Sequence, residues 1–425
     1  MAAGPLSGIR VLEFTQIIAG PVGCQHLADM GAEVIKIEPP EGEPWRLFSQ
    51  FMPGESKTFQ SLNRGKKSLV LKLQEPEAQA IIHRLIPSVD VVVINYRPDV
   101  PAKLGIDYDT ISKIKPNIIY VDNTAWGRKG PWAQRPGYDI VAQAVSGLMA
   151  NEGKLEPNGA PGQITSTAIA DFGTGLAIAW AVSAALYHRE KTGEGQLIET
   201  TLLNTALYFI STGAMDLPAA DAIKYQKMER VHALQQQHSS YQEIIDAYHA
   251  TTRAQRAANI YYRTYETADG AIAIGALSPT LWAKVRAAIP TDFLGMADPN
   301  YNLQDAEWLA KARERVAEVE EIFRGKTTEW WIEHLERNGV PAGPVNFAED
   351  MLADPQSIAN DIPVHLEHPL SGPQTVVGPV LKMSKTPLQV QGPSPVLGQD
   401  TAAIVAEAGL SPDEIADLYA RGIIA

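Results

Sequence analysis

The stretch Gly8-Ile-Arg-Val-Leu-Glu-Phe14, followed by Ala19-Gly-Pro-Val-Gly23 and then Glu33-Val-Ile-Lys-Ile-Glu38, decides the fold. The outer pieces are apolar, β-branched runs of strand length, and the glycine-proline turn between them opens a helix reaching about Met30. Gly31 suits the left-handed position that ends such a helix. Strand, helix and strand at this spacing make a parallel βαβ unit.

Working outward, the alternation continues. Ser68 to Leu73 reads as a strand, Pro76 to Leu85 as a helix, Val89 to Asn95 as a fully apolar strand and Asn117 to Asp122 as another. The expectation is a doubly wound, Rossmann-like α/β domain with helices on both faces. Ligands of such sheets bind beyond the carboxyl ends of the strands, where Glu38, Asn95 and Asn123 stand.

A chain of 425 residues exceeds what one core usually fills. From about Gln226 the texture changes to charged helices around a hairpin, Tyr261 to Gly275, that turns at Asp269-Gly270. Residues 226–337 are therefore read as a smaller α+β domain inserted into the large one, whose parts are 1–225 and a Pro- and Gly-rich return segment, 338–425. The helical apolar run Leu176 to Tyr187 is about a dozen residues, short of the roughly 18 a bilayer span needs, and reads as a core helix. No membrane association is expected.

Net charge of −13 and the lack of a dense Lys/Arg tract exclude nucleic acid as an expected partner. A lone cysteine, Cys24, rules out an internal disulfide framework and points to the cytoplasm; near a helix start it is also a candidate for a lowered pKa. The nine histidines lack ligand spacing, so no metal is expected.

Ala168-Ile-Ala-Asp-Phe-Gly-Thr-Gly175 carries the chemistry. Asp171 is expected as the N-cap of the long apolar helix, where the helix favours a carboxylate and supplies N–H groups to a nearby oxyanion. Gly173 and Gly175 would let a bulky thioester approach the backbone. Asp171 is the candidate nucleophile.

These motifs resemble those of the family III CoA-transferases (CaiB/BaiF family). The likeness is carried by Gly4 to Thr15, Gly20-Pro21, Gly31 to Glu38, Leu62-Asn-Arg-Gly-Lys-Lys-Ser68, Asn95-Tyr-Arg-Pro98, Gly137-Tyr-Asp139, Asp171-Phe-Gly-Thr-Gly175, His188 to Gln196, Val340-Pro-Ala-Gly-Pro344 and Leu397 to Thr401. The resemblance implies CoA transfer from an acyl-CoA to a free carboxylic acid through an aspartyl-CoA thioester on Asp171. It places CoA contacts on Ile18, Ala19, Leu71, Lys72, Leu73, Asn95, Tyr96, Arg97 and Lys103, and the active-site tyrosine on Tyr138. It also implies an interlocked-ring homodimer, with acyl-CoA as substrate and no tightly bound cofactor. Lys66 and Lys67 are further candidates for the CoA phosphates.

Three departures bear on specificity. A glutamine of oxalate- and formate-specific members is Ile18 here, an arginine after their second strand is Pro39, leaving Arg46 as its substitute, and their glycine run has no counterpart between Val231 and Ala258. A larger acid than oxalate is expected, a dicarboxylate such as succinate, with Arg97, Arg128, Lys129 and Arg135 available to its second carboxylate. The rivals are an α-methylacyl-CoA racemase of the same fold, which needs two bases where this chain has Tyr138-Asp139, and an NAD-dependent dehydrogenase, whose glycine fingerprint is missing at Gly20-Pro-Val-Gly23. A non-catalytic CoA-binding protein is the third.

Overall fold

The computed structural model describes residues 4–165 and 167–425. The described residues form two compact units, one within 4–154, 161–215 and 352–425 and the other within 155–160 and 216–351.

The larger unit begins with β1 (Arg10–Phe14), α1 (Ala19–Asp29), β2 (Glu33–Glu38), β3 (Lys67–Val70), α2 (Pro76–Leu85) and β4 (Val91–Ile94). It continues with α3 (Tyr108–Ile114), β5 (Ile119–Thr124), α4 (Asp139–Val145), α5 (Ile169–Thr192), β6 (Gln196–Thr201) and α6 (Leu202–Phe209). The six strands are parallel in the order β3-β2-β1-β4-β5-β6. The order reverses between β1 and β4, the switch point at which a doubly wound sheet opens a crevice. Alternation sorts each strand between two cores: Leu12, Ile35 and Val92 face α2 and α3, while Val11, Val34 and Val93 face α1 and α5.

Helices α1 and α5 cross backbone to backbone because two glycines allow it. A Cβ on Gly175 would lie 2.6 Å from Val22 Cγ1, and one on Gly23 would lie 2.8 Å from Ile178 Cβ. Thus Gly175 serves helix packing, and Gly173 does the same against α6, where a Cβ would meet Phe209 at 2.6 Å. The expected role of these glycines in admitting a thioester is corrected accordingly. Helix α5 is also longer than expected. Its 24 residues are long and apolar enough to cross a membrane by length and composition, yet Ile178, Val182 and Ala185 are buried against α1 and the sheet.

Charged side chains lie inside this unit. On the α1 side of the sheet, Glu13 pairs in register with Lys36 of β2, and both are fully buried. Lys36 Nζ reaches Glu13 Oε1 at 3.1 Å, Glu43 Oε1 at 3.1 Å and the Thr15 carbonyl at 2.8 Å. Lys66 Nζ takes the other Glu13 oxygen at 2.8 Å. Burial acts to raise the Glu13 pKa, but the charges of Lys36 and Lys66 outweigh it and hold the carboxyl below its usual range. Beside it, Arg46 forks onto Glu38 at 2.7 and 2.9 Å and lies 3.6 Å from the Phe59 ring centroid. Lys66 and Arg46 are therefore structural, the first no CoA phosphate ligand and the second no substitute acyl contact. Lys67 pairs with Glu33. Glu38, at the end of β2, has both carboxylate oxygens taken by Arg46 and by Ser68 Oγ at 2.9 Å.

In the smaller unit, α7 (Ala222–Gln236) and α8 (Tyr241–Ala257) precede the hairpin β7 (Tyr262–Glu266) and β8 (Ala271–Gly275). Helices α9 (Pro279–Ala288), α10 (Ala306–Arg324) and α11 (Thr328–Arg337) and strand β9 (Ala342–Pro344) complete it. The sheet is antiparallel, β9-β8-β7, over a core in which Tyr265, Phe323 and Trp331 stack. Back in the larger unit, hairpin β10 (Pro363–His368) and β11 (Gly372–Val377) leads to α12 (Thr401–Glu407) and α13 (Pro412–Ala420).

Removing one buried charge strands its partners. Lys36→Met should cost about 3 to 5 kcal/mol of stability, read as a lower midpoint in urea at neutral pH; an unchanged midpoint would remove the cluster from the list of structural requirements.

Candidate active site

A cavity of about 300 Å³ lies at the switch point, lined from the β1–α1 turn by Gln16, Ile17 and Ile18 and from the loop after β4 by Asn95, Tyr96 and Arg97. Its far wall carries Asn123 at the end of β5, Arg135, Tyr138 and Asp171. Of the expected contacts, Ile18, Asn95, Tyr96, Arg97 and Tyr138 thus share a space with the candidate nucleophile. Ala19, Leu71, Lys72, Leu73 and Lys103 do not line it. Leu71 and Leu73 sit in the core, and the Lys72 N–H is held by the Ile423 carbonyl at 2.9 Å. Lys103 is exposed and paired with Asp99 at 2.8 Å.

Asp171 is not the N-cap. Ala168 holds that position, which makes Asp171 the third residue of α5. The cap comes from another helix instead: Asp139, first residue of α4, accepts the N–H groups of Ala170 at 2.7 Å and Asp171 at 3.1 Å on one oxygen, and Gln143 Nε2 donates to the other. The N–H groups from Phe172 onward bond inside the helix, beginning with Phe172 to Ala168 O at 3.0 Å. The N–H groups of Ala170, Asp171 and Phe172, expected to serve a nearby oxyanion, are accordingly spent.

The Asp171 carboxylate itself takes no protein hydrogen bond among the described residues. Burial, and secondly the neighbouring Asp139 charge, push its pKa from 3.8 up to about 7. A largely buried carboxylate that opens on a cavity and has a raised pKa has the character of a functional-site group.

The other polar groups divide into committed and free. Asn95 spends its side chain on the Gln16 backbone, accepting its N–H at 3.0 Å and donating to its carbonyl at 2.8 Å. Arg97 leans on Asp99 at 3.5 Å, Arg128 is paired with the buried Asp122, and Lys129 does not line the cavity. Arg135 alone of the four has no carboxylate partner among the described residues while lining it; its guanidinium lies 4.3 Å from the Trp132 ring centroid. Tyr138 is 60% exposed and no core residue. Cys24 is buried in the core, and burial pushes its thiol up rather than down. Gln16 was missed by the sequence reading, although its position just after β1 in a switch-point fold was a usable signal.

The chain belongs to CoA-transferase family III, whose family model matches residues 6–401. It is an enzyme that moves CoA from an acyl-CoA to a carboxylate. It is 35% identical over 422 residues to the succinate–glutarate CoA-transferase of Agrobacterium fabrum, covering 95% of each chain. It is 32% identical to the human succinyl-CoA:glutarate CoA-transferase, over 99% of this chain and 90% of that one. The crystal structure of Rv3272 from Mycobacterium tuberculosis superposes with a TM-score of 0.74 at 29% identity, over 95% of this chain and all of the other.

A raised carboxyl pKa costs stability. Unfolded Asp171 ionises near pH 3.8 and folded Asp171 near 7, so the folded state is penalised progressively across that window and fully above it. Asp171→Asn should therefore match the native chain at pH 4 and exceed it by about 3 to 4 kcal/mol at pH 8. Urea midpoints at the two pH values measure this, and equal midpoints at pH 8 would refute the raised pKa.

Proposed function

We propose that this enzyme exchanges CoA between short dicarboxylic acids through a covalent aspartyl-CoA intermediate on Asp171. The observation that carries the reading is the buried Asp171 carboxylate, without hydrogen bonds among the described residues, in a cavity at the β1/β4 switch point. Its oxygen attacks the thioester carbonyl, the C–S bond breaks, and CoA leaves as thiolate with an acyl-aspartyl anhydride behind it. The thiolate then attacks the aspartyl carbonyl, expels the first acid as its carboxylate and forms the aspartyl-CoA thioester. An incoming carboxylate reverses both steps. No proton or electron is gained or lost.

The unpaired Arg135 supports a second carboxylate on the substrate, since a guanidinium binds one by two parallel hydrogen bonds. Glutarate and succinate are the acids named for the two relatives above. The racemase alternative has less support, because Asp139 already accepts three hydrogen bonds and Tyr138 stands where a histidine base would be needed. CoA binding is assigned to the larger unit, and residues 226–337 to the domain that shapes acyl specificity. The lone buried cysteine suits a reducing cytoplasm.

Incubated with succinyl-CoA, the native enzyme should carry a CoA adduct on Asp171 by peptide mass spectrometry, and transfer to glutarate should rise with pH through about 7. Asp171→Asn should lose both, and Arg135→Gln should raise KM for glutarate about tenfold or more while sparing a monocarboxylate. Full transfer by Asp171→Asn would end the covalent reading; indifference of Arg135→Gln would end the dicarboxylate one.

We also propose a homodimer of interlocked rings. Leu176, Trp180 and Tyr187 form an exposed apolar stripe along α5, with Trp180 76% accessible and Tyr208 of α6 equally so. Light scattering at micromolar concentration should return twice the chain mass, and Trp180→Glu should lower it; a native monomer that transfers CoA would contradict the assembly.

A further inference from the structure

The attack of Asp171 on a thioester places a negative charge on the carbonyl oxygen, and that charge needs donors fixed in advance. Helix α5 is poorly placed to provide them. The N–H groups of Ala170 and Asp171 are bound to Asp139, and that of Phe172 to Ala168. Two carboxamides in the same cavity are free.

The first is Gln16. Its side chain has no hydrogen-bond partner among the described residues, yet its backbone is held on both sides. Asn95 clamps both its N–H and its carbonyl. The next residue, Ile17, has φ of +74°, a left-handed conformation that a β-branched residue rarely adopts. Its N–H is drawn onto Glu43 Oε2 at 2.7 Å, and Glu43, 2% exposed, is anchored in turn by Lys36. Strain of this kind persists only where surrounding contacts over-determine it, and it collects at working sites. Here the strained turn delivers Gln16 to the cavity that Asp171 lines.

The second is Asn123, 4% exposed. The Thr200 hydroxyl on the paired strand β6 donates to its Oδ1 at 3.1 Å, which fixes the amide's orientation. Its Nδ2 group has no acceptor among the described residues. The residue lines the same cavity, so this oriented amide is open to a ligand there.

We propose that the side-chain amides of Gln16 and Asn123 are the donors that stabilise the thioester oxyanion during attack by Asp171, making both catalytic residues. As the Asp171 oxygen bonds to the carbonyl carbon, the carbonyl π electrons move to oxygen and the two N–H groups bind that oxygen. When the C–S bond breaks, the electrons return and the CoA thiolate leaves. Neutral amides suit this task, because they hold a transient oxyanion without trapping the anionic products.

This inference rests on the covalent reading above, and its test separates the two. The variants are Gln16→Leu, Gln16→Glu and Asn123→Ser, the first two on a side chain that no contact requires for folding. With succinyl-CoA as probe, adduct formation on Asp171 is followed by quenched mass spectrometry in single turnover, and kcat and KM for transfer to glutarate are measured. Gln16→Leu and Asn123→Ser should each slow adduct formation and kcat by about a hundredfold or more, with KM for succinyl-CoA within about threefold. Gln16→Glu should be slower than Gln16→Leu, since a carboxylate repels an oxyanion; a merely structural role would not produce that ranking. If the native enzyme forms the adduct and the variants match its rate, or lose only KM, this inference alone falls. If the native enzyme forms no adduct, both readings fall.

Discussion

The buried contact between Lys36 and Glu13 is the constraint on which the rest of the larger unit depends. One ammonium joins the neighbouring strands β1 and β2 in register, holds the carbonyl of Thr15 just past the end of β1, and anchors Glu43, which pins the Ile17 N–H. Strand pairing and the shape of the reactive turn are thereby a single arrangement. Its return is geometric more than energetic, because desolvating such ions costs several kcal/mol each and well-packed apolar residues often replace them without loss. Apolar residues would not direct the Ile17 N–H downward.

A second arrangement concerns division of labour between carboxylates. Asp139 accepts the helix and amide hydrogen bonds, and the Asp171 carboxylate accepts none among the described residues. Capping α5 from α4 frees the residue that would otherwise do it, and the same proximity adds a repulsive charge that keeps Asp171 basic. A self-capping aspartate would be a poorer nucleophile, since hydrogen bonds to the carboxylate would lower its basicity.

Much of this was legible in the chain itself. Apolar runs of strand length separated by helical periods located the βαβ unit, and the lone acid at the mouth of an apolar helix located Asp171. The buried charges were not read, because Lys66-Lys67 and Arg46 have the composition of a solvated edge. Their signal was positional: a glutamate inside Val-Leu-Glu-Phe and a lysine inside Val-Ile-Lys-Ile, one on each of two adjacent parallel strands, can only meet in the interior. The cap from Asp139 crosses 31 residues of chain, and the glycines of α5 are spent on neighbours remote in sequence. Pairings of that kind leave no local period to read.

The edge of the sheet at β3 has a consequence for how the molecule is made. The N–H of Ser68 is received by the Asp400 carboxylate, 332 residues later, and that of Val70 by the Thr401 hydroxyl. The Lys72 N–H is received by Ile423. During synthesis this strand therefore emerges long before anything that can cover it, while the entire smaller unit is still to be translated. An uncovered strand edge is a template for other chains, so the nascent protein passes through an extended interval in which a chaperone, or rapid completion of the chain, decides between the sheet and the aggregate.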